Sequence, residues 1–190
     1  MYCTVSDLKS YLGLSESTDD ALLVSLIQDA QAVIEAETLR VFELPDADST
    51  RYFDASTDVK NETLYLDRDL YSITSIINGD SASVSGSAYV TEPRNDKPYH
   101  AIRLKQSGAV RWTYIEDAEN AIAVTGRWCY SSEPPALIQR VCKRLAAYLY
   151  RQRENANDLD RALVVGNATV LPQQLPQDIR NDLQAFKRLV

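Results

Sequence analysis

Apolar residues recur at helical spacing through the first forty residues of the chain. Thr4 and Asp7 have the spacing of a capping box ahead of Leu8, and Gly13 is a typical helix stop, so a short first helix is predicted. A second helix is predicted from about Asp19 to about Val41, because apolar residues then repeat every three or four positions: Leu22, Leu23, Leu26, Ile27, Ala30, Val33 and Ile34.

Between Arg51 and Trp128 the pattern changes to alternation of apolar and polar residues, which indicates strands. The predicted strands are Thr63–Leu66, Ile73–Ile77, Ala101–Leu104, Val110–Trp112 and Ala121–Thr125. The predicted turns are Asp67–Asp69, Asn78–Asp80, Pro93–Asp96, Ser107-Gly108 and Glu116-Asp117. Connections this short cannot hold a crossover helix, so we expect an antiparallel sheet of about five or six strands.

Helical spacing returns after Pro134 and Pro135 and continues to about Arg153. The predicted buried face contains Leu137, Ile138, Val141, Cys142, Leu145, Ala146 and Leu149. The opposite face is basic and contains Arg140, Lys143, Arg144 and Arg151.

The segment after Glu154 has weak periodicity and is interrupted by Gly166, Pro172 and Pro176. It ends in an amphipathic stretch with one apolar side: Leu175, Ile179, Leu183, Phe186 and Leu189. Such a helix suits an arm that docks in a groove, and the alternative is that it completes the core of its own subunit.

The predicted fold class is α+β. Helices from both ends of the chain form a bundle, an antiparallel β region is inserted between them, and a C-terminal arm extends from the bundle. The predicted boundaries are 1–50 for the first helices, 51–133 for the β insertion, 134–157 for the C-terminal bundle helix and 158–190 for the arm.

Composition and charge narrow the classes of function. With 45% apolar and 25% charged residues the chain is an ordinary globular one. It has no run of about 20 apolar residues and no signal-peptide layout, so we interpret it as intracellular, with no membrane partner. The net charge is −7, and acids outnumber bases ten to two in residues 1–50. An acidic chain is a poor candidate for binding nucleic acid.

The C-terminal part differs, since residues 136–190 hold nine bases and five acids. Bases and tyrosines alternate between Arg140 and Arg153, a pattern also found in nucleic-acid-binding segments. We favour pairing of the basic face with acids of another subunit. The candidate acids are Asp19, Asp20, Asp29 and Glu35.

No catalytic, metal or cofactor site is predicted. The chain has one histidine, His100, and three cysteines, Cys3, Cys129 and Cys142, without zinc-ligand spacing, and we interpret the cysteines as reduced, half-buried thiols. Gly79-Asp80-Ser81 is similar to the nucleophile block of one group of serine hydrolases, but the downstream Asp-x-x-His is missing and a hairpin turn is favoured. Asp67 and Asp69 would share a face of a strand, and we expect them in a solvated turn instead.

Tyrosine is the main aromatic residue, with eleven copies. Six fall in or beside the β region: Tyr65, Tyr71, Tyr89, Tyr99, Tyr114 and Tyr130. An interface role and an ordinary position at the rim of the sheet core are both open.

Several blocks, in this order, resemble head-tail connector (adaptor, or head completion) proteins of tailed bacteriophages. The opening Tyr2–Gly13 and Asp19–Leu23 with its long helix carry the resemblance first. The later blocks are Leu64–Leu66, Ile73–Ile76 with Asn78-Gly79, Asn120–Trp128, Pro134-Pro135 and Arg144–Tyr150. The resemblance extends over about residues 2–153.

The resemblance implies a structural virion protein that is made in the host cytoplasm. Such proteins form a ring, usually of twelve subunits, beneath the portal at the capsid vertex. DNA passes through the ring without sequence-specific binding, and the tail or the next neck protein attaches to it. On this basis the bases and acids named above are candidates for the contact between subunits, and the terminal apolar side is a candidate portal-docking arm. The alternatives are a small carboxylate-based hydrolase and a nucleic-acid-binding module.

Overall fold

The computed structural model describes residues 1–16, 19–154, 163–165, 168–170 and 175–188. The chain divides into two compact units. The helical unit comprises Met1–Arg40 and Pro134–Val190, and the β unit is Val41–Glu133. The α+β class predicted from the sequence is confirmed. Within the described part of the chain, no helix combines the length and the apolar character needed to cross a membrane.

The first two helices start and stop close to the predicted positions. α1 is Val5–Leu12, with a reciprocal capping box: the Thr4 hydroxyl accepts the Asp7 N–H, and the Asp7 carboxylate accepts the Thr4 N–H. The helix ends at Gly13, whose φ of 75° is left-handed. α2 is Asp20–Thr38 and ends at Leu39, which is also left-handed, so it stops a few residues before the predicted end at about Val41.

Two further helices are described in the helical unit. α3 is Ala136–Glu154 and α4 is Gln177–Gln184. All four helices contribute to the packing, with α1, α2 and α4 each in contact with α3. Buried side chains of the unit are Tyr2, Cys3, Leu8, Leu23, Ile27, Ala30, Ile34, Thr38, Ile138, Val141, Cys142, Leu145, Ala146, Ala147, Tyr150, Ile179 and Leu183.

The β unit holds seven strands: β1 Ser49–Phe53, β2 Val59–Lys60, β3 Thr63–Leu70, β4 Ser72–Ile77, β5 Tyr89–Glu92, β6 Tyr99–Leu104 and β7 Ile122–Arg127. They form a three-stranded sheet in the order β1-β7-β4 and a four-stranded sheet in the order β2-β3-β6-β5. All pairings between these strands are antiparallel, as predicted. The expectation of one sheet of five or six strands is corrected to two sheets.

Buried residues of both sheets form one core in the β unit. It includes Phe53 of β1, Leu66 of β3, Ile102 of β6, Val124 of β7 and Trp128. Gly126 lies where β7 packs closely against the first residue of β4, since a Cβ at this position would be only 2.0 Å from the Ser72 carbonyl oxygen. Glycine is therefore required for this strand pairing.

Two local predictions in the β unit are wrong. Asp67, Arg68 and Asp69 lie within β3 and not in a turn, and the pairing of β3 with β6 shifts register between Tyr65 and Leu70. Of these charged residues, Asp67 and Arg68 are exposed to solvent and Asp69 is buried. Val110–Trp112 is not a strand; Trp112 is instead held by a hydrogen bond of 3.1 Å from its indole Nε1 to the Glu62 carbonyl oxygen.

Part of the predicted arm, 158–190, lies outside the described residues. Two short strands are described there, β8 Leu163–Val165 and β9 Ala168–Val170, which pair antiparallel. The described chain then resumes at residue 175 and includes α4.

Candidate interaction surfaces

Two bases of the predicted contact surface pair with acids of their own chain. Arg140 and Arg144 lie four residues apart on α3, and Asp178 and Asp182 lie four residues apart on α4. Arg140 donates to Asp182 at 3.0 Å, and Arg144 contacts both Asp178 and, at 3.7 Å, Asp182. The hydrogen bond from Arg144 lowers the pKa of the Asp178 carboxyl. Asp178 and Asp182 were not identified from the sequence as partners of these bases, although their i, i+4 spacing matches that of Arg140 and Arg144.

The other two bases surround an exposed tyrosine. The Lys143 ammonium lies 5.9 Å from the centroid of the Tyr11 ring, and the Arg151 guanidinium carbon lies 6.0 Å from it. Tyr11 is 45% exposed and lies on α1. We call Tyr11, Lys143 and Arg151 the basic tyrosine surface. It presents positive charge around an aromatic ring, which is a common composition for protein interfaces.

Three of the four candidate acids are engaged within the helical unit. Asp20 pairs with Lys9 at 2.8 Å, and Asp19 accepts a hydrogen bond of 3.0 Å from the Tyr150 hydroxyl. Glu35 accepts from the Tyr2 hydroxyl at 2.6 Å and from Gln31. Asp29 is exposed on α2. Of the four, Asp29 is therefore the one with its carboxylate most available to a neighbouring molecule.

The apolar side of α4 is packed within its own unit. Ile179 and Leu183 are 2% and 3% exposed, and α4 contacts both α2 and α3. The backbone N–H of Arg188 donates to the Thr38 carbonyl oxygen at 2.9 Å. Leu175 and Phe186 are half-buried, and Leu189 lies outside the described residues. For Ile179 and Leu183, the structure thus has the alternative arrangement, in which the helix completes the core of its own subunit.

The β unit presents an uncharged face on its three-stranded sheet. The strand registers place two rows side by side: Tyr52, Ala123 and Ile77 in one row, and Thr50, Thr125 and Ser75 in the next. Tyr52 is 62% exposed, and the hydroxyls of Thr50 and Thr125 lie 2.8 Å apart. We call these six residues the uncharged sheet face. Tyr52 was not singled out from the sequence, because the first predicted strand was Thr63–Leu66 and β1, which contains Tyr52, was not among the predicted strands.

A second exposed apolar segment lies next to the end of β4. Gly79, two residues beyond Ile77, forms a bridge with Tyr114, and a Cβ on Gly79 would be 2.3 Å from the Thr113 carbonyl oxygen. The close approach places Tyr114 and Ile115 beside this edge, with Ile115 72% exposed. Among the six tyrosines noted in the sequence, Tyr65 and Tyr114 are exposed; the half-buried ones are Tyr71, Tyr89, Tyr99 and Tyr130.

The residues considered for catalysis have structural roles or lie apart. Asp80 accepts the Ala82 N–H at 3.0 Å and so stabilises the turn after Asn78, as the hairpin interpretation predicted. Asp67 is exposed and pairs with Arg51, whereas Asp69 is buried. His100 is exposed on β6. The described residues contain no group of three or more His, Cys, Asp or Glu arranged to hold a metal ion.

The first part of the chain is similar to a known protein family. Residues 2–78 match the phage gp6-like head-tail connector protein family. The match covers α1, α2 and β1–β4 and confirms, over this part, the resemblance found in the sequence. No curated protein matches the chain.

Solved structures with a similar fold extend over almost the whole chain. One is a chain of the structure titled "Neck of empty GTA particle computed with C6 symmetry", with a TM-score of 0.59 and 14% identity. Another is a chain of "Virion of native gene transfer agent (GTA) particle", with a TM-score of 0.58 and 16% identity. Each alignment covers 98% of this chain and 89% of the other. The fold of this protein is therefore one that occurs in those particles.

Proposed function

We propose that the protein is a structural component of the virion neck, a head-tail connector. The observation that carries the proposal is the match of residues 2–78 to the head-tail connector family. The fold likeness to chains of a particle neck and of a virion supports it over 98% of the chain. A protein of this kind acts through its contacts, so we assign it no catalytic residue and no cofactor.

We further propose that copies of the protein form a ring beneath the portal, through which DNA passes, and that the tail or next neck protein attaches to this ring. Twelve copies is the number implied by the resemblance, and the similar neck structure was computed with C6 symmetry, which is compatible with a multiple of six. A ring requires a heterologous contact, in which one patch of a subunit meets a different patch of the next.

The charged contact between copies is proposed to centre on the basic tyrosine surface. Arg140 and Arg144 are paired with Asp182 and Asp178 of the same chain, so their reversal would disturb α4 as well as any interface. Lys143 and Arg151 are the remaining bases of that set, and Asp29 is the exposed acid. Single exposed pairs contribute about 0–1 kcal/mol, but repetition around a ring can still set the register of neighbouring subunits.

The test is electron microscopy of the purified protein and of virions that carry it. Rings, or density for the chain at the neck of the particle, are the expected result. We expect Lys143→Glu combined with Arg151→Glu to reduce ring assembly, and to do so more strongly at low salt because screening extends over ~8–10 Å at physiological ionic strength. Lys97→Glu is the matched control, since Lys97 also lies over a tyrosine ring, at 4.1 Å from the Tyr71 centroid, but belongs to the β unit.

Two results would contradict the proposal. Assembly that is unchanged by the double reversal at every salt concentration would exclude the basic tyrosine surface as the ring contact. A wild-type protein that stays monomeric, is absent from virions, and hydrolyses an ester or binds duplex DNA would favour the hydrolase or nucleic-acid-binding alternative over a connector.

A further inference from the structure

Two of the three cysteines lie together in the helical unit. Cys3 precedes α1, Cys142 lies on α3, and their Sγ atoms are 3.7 Å apart. Cys142 is fully buried and Cys3 is 7% exposed, so both are more buried than the half-buried state expected from the sequence. Residues 139 positions apart in the chain are thus joined by a direct sulfur-sulfur contact.

We propose that Cys3 and Cys142 form an oxidation site, at which a disulfide links the segment before α1 to α3. Both residues are free thiols in the structure. A disulfide has an S–S distance of about 2.05 Å, so the sulfur atoms, which are 3.7 Å apart, must approach by a further ~1.6 Å to form it. The inference does not rest on the proposed function.

The surroundings distinguish the two sulfur atoms chemically. The hydrogen bond with Cys142 lowers the pKa of the Cys3 thiol, whereas the same contact and burial raise the pKa of the Cys142 thiol. The Cys142 sulfur also lies 4.0 Å from the Ile27 carbonyl oxygen, which can accept its proton in a hydrogen bond. Cys3 is therefore the thiol that forms a thiolate first, and the thiolate is the reactive species.

The oxidant is a small-molecule disulfide of the glutathione type. The Cys3 thiolate attacks one sulfur of oxidised glutathione, a Cys3–glutathione bond forms, and one glutathione thiolate leaves. The Cys142 thiol then passes its proton to the released glutathione thiolate and attacks the Cys3 sulfur, and the second glutathione leaves as a thiolate that takes up the proton lost earlier by Cys3. Two protein thiols are oxidised to one disulfide and one glutathione disulfide is reduced to two thiols, so atoms and electrons balance.

Cys129 provides an internal control. It lies in the β unit and is 1% exposed, and burial raises the pKa of its thiol to about 11. A thiol with this pKa is almost entirely protonated at neutral pH, and Cys129 is the only cysteine of the β unit, so that unit offers no second thiol that could complete a disulfide with it. We therefore expect Cys129 to stay reduced under conditions that oxidise Cys3 and Cys142.

The experiment uses the full chain, purified with reductant and then equilibrated in mixtures of reduced and oxidised glutathione. The expected loss is two of the three thiols, with the protein still a monomer by non-reducing electrophoresis. Tryptic digestion should then yield residues 1–9 linked to residues 141–143, while residues 128–140 carry free Cys129. The linked protein should melt several degrees above the reduced one, because the link restrains the unfolded chain.

Cysteine variants test which residues form the disulfide. Cys129→Ser should form the same linked peptides, whereas Cys3→Ala and Cys142→Ala should form none and show no oxidant-dependent change in melting temperature. The proposal is overturned if the folded wild-type protein keeps all three thiols in oxidised glutathione, if the link involves Cys129 or a second molecule, or if the linked protein melts below the reduced one. The wild-type mapping decides the question even where an alanine variant fails to fold.

Discussion

The two units differ in what they leave on their surfaces. In the helical unit, ion pairs join α1 to α2 and α3 to α4, and among its described residues the exposed large apolar side chains are Met1, Tyr11 and Leu39. The β unit, all of whose residues are described, exposes six: Tyr52, Tyr65, Ile77, Val110, Tyr114 and Ile115. Ion pairs occur in both units, and those of the β unit include Arg51 with Asp67, Arg103 with Glu92 and Arg127 with Asp48. The described residues differ more in their exposed aromatic rings, which are concentrated on the β unit. For a protein that acts through contacts, the β unit is therefore the better source of apolar interfaces.

The largest expected effect comes from removing the last helix. Truncation after Asn157 deletes Ile179 and Leu183, each worth about 2–5 kcal/mol when a buried aliphatic side chain is lost. Because whole domains have only about 5–15 kcal/mol of stability, we expect the helical unit to unfold or melt far lower while the β unit keeps its strands. Circular dichroism and amide hydrogen exchange measure the two units separately.

The matched control for the truncation is Phe186→Ala, which removes a half-buried side chain of the same segment and should shift melting only slightly. If the truncated protein instead melts like the full chain and loses only its binding to the portal, the docking-arm interpretation of this segment is correct. The packing of α4 against α2 and α3 would then be dispensable for stability.

A substitution confined to the β unit should destabilise that unit and leave the helical unit folded. Gly126→Ala places a Cβ 2.0 Å from the Ser72 carbonyl oxygen and 3.1 Å from the Leu70 Cδ1, so β4 and β7 must separate. We expect a loss of about 1–3 kcal/mol, typical of overpacking, with hydrogen exchange accelerated in the β unit. Gly86→Ala is the control, because no atom lies within 4 Å of the added Cβ. Equal stability of the two variants would contradict the tight strand contact.

The smallest expected effect is a dependence of stability on pH, which involves a different carboxylate in each unit. The pKa of Asp178 is lowered by the hydrogen bond from Arg144 in the helical unit, and that of Asp48 is lowered by the Thr74 hydroxyl in the β unit. A lowered pKa in the folded state means that each carboxylate stabilises its unit above the unfolded value of ~3.9, and that this contribution disappears as pH falls through the folded pKa.

Asp178→Asn should therefore reduce the stability of the helical unit at neutral pH but not once the pH has fallen below the lowered pKa of the folded state, and Asp48→Asn should do the same for the β unit. Both acids are exposed, so each effect is small. Denaturant titration at several pH values, monitored separately for helix and strand signals, measures it. A variant that weakens both units equally would show that they do not unfold independently.

The helices could be predicted from residues that lie close together in the sequence. The sheets were harder to predict, because they depend on pairing between strands that lie far apart in the sequence. The Thr4 capping box and Gly13 define α1 within a few residues of chain, whereas the split into two sheets depends on partners such as β1 and β7, which are distant in sequence. The turn between β2 and β3 was missed because Asn61 and Glu62 both have positive φ without any glycine to indicate it.

The candidate surfaces were only partly predictable for the same reason. The bases of α3 could be recognised as one face from spacing alone, since that face is a property of one helix. Their partners Asp178 and Asp182 lie 34–42 residues further along the chain, beyond several helix breakers, and their position depends on how α4 packs. The proximity of Cys3 to Cys142 was equally inaccessible, because it results from the docking of the N-terminal segment on α3.

The placement of the β unit between two parts of the helical unit affects the order in which the protein can fold during synthesis. All residues of the β unit, 41–133, have been translated before α3 begins at Ala136. Domains fold as units while the chain grows, so the two sheets can form while α1 and α2 still have no α3 to pack on. The apolar faces of α1 and α2 therefore remain uncovered over the synthesis of more than ninety residues, a period in which a chaperone or a second nascent chain can bind them.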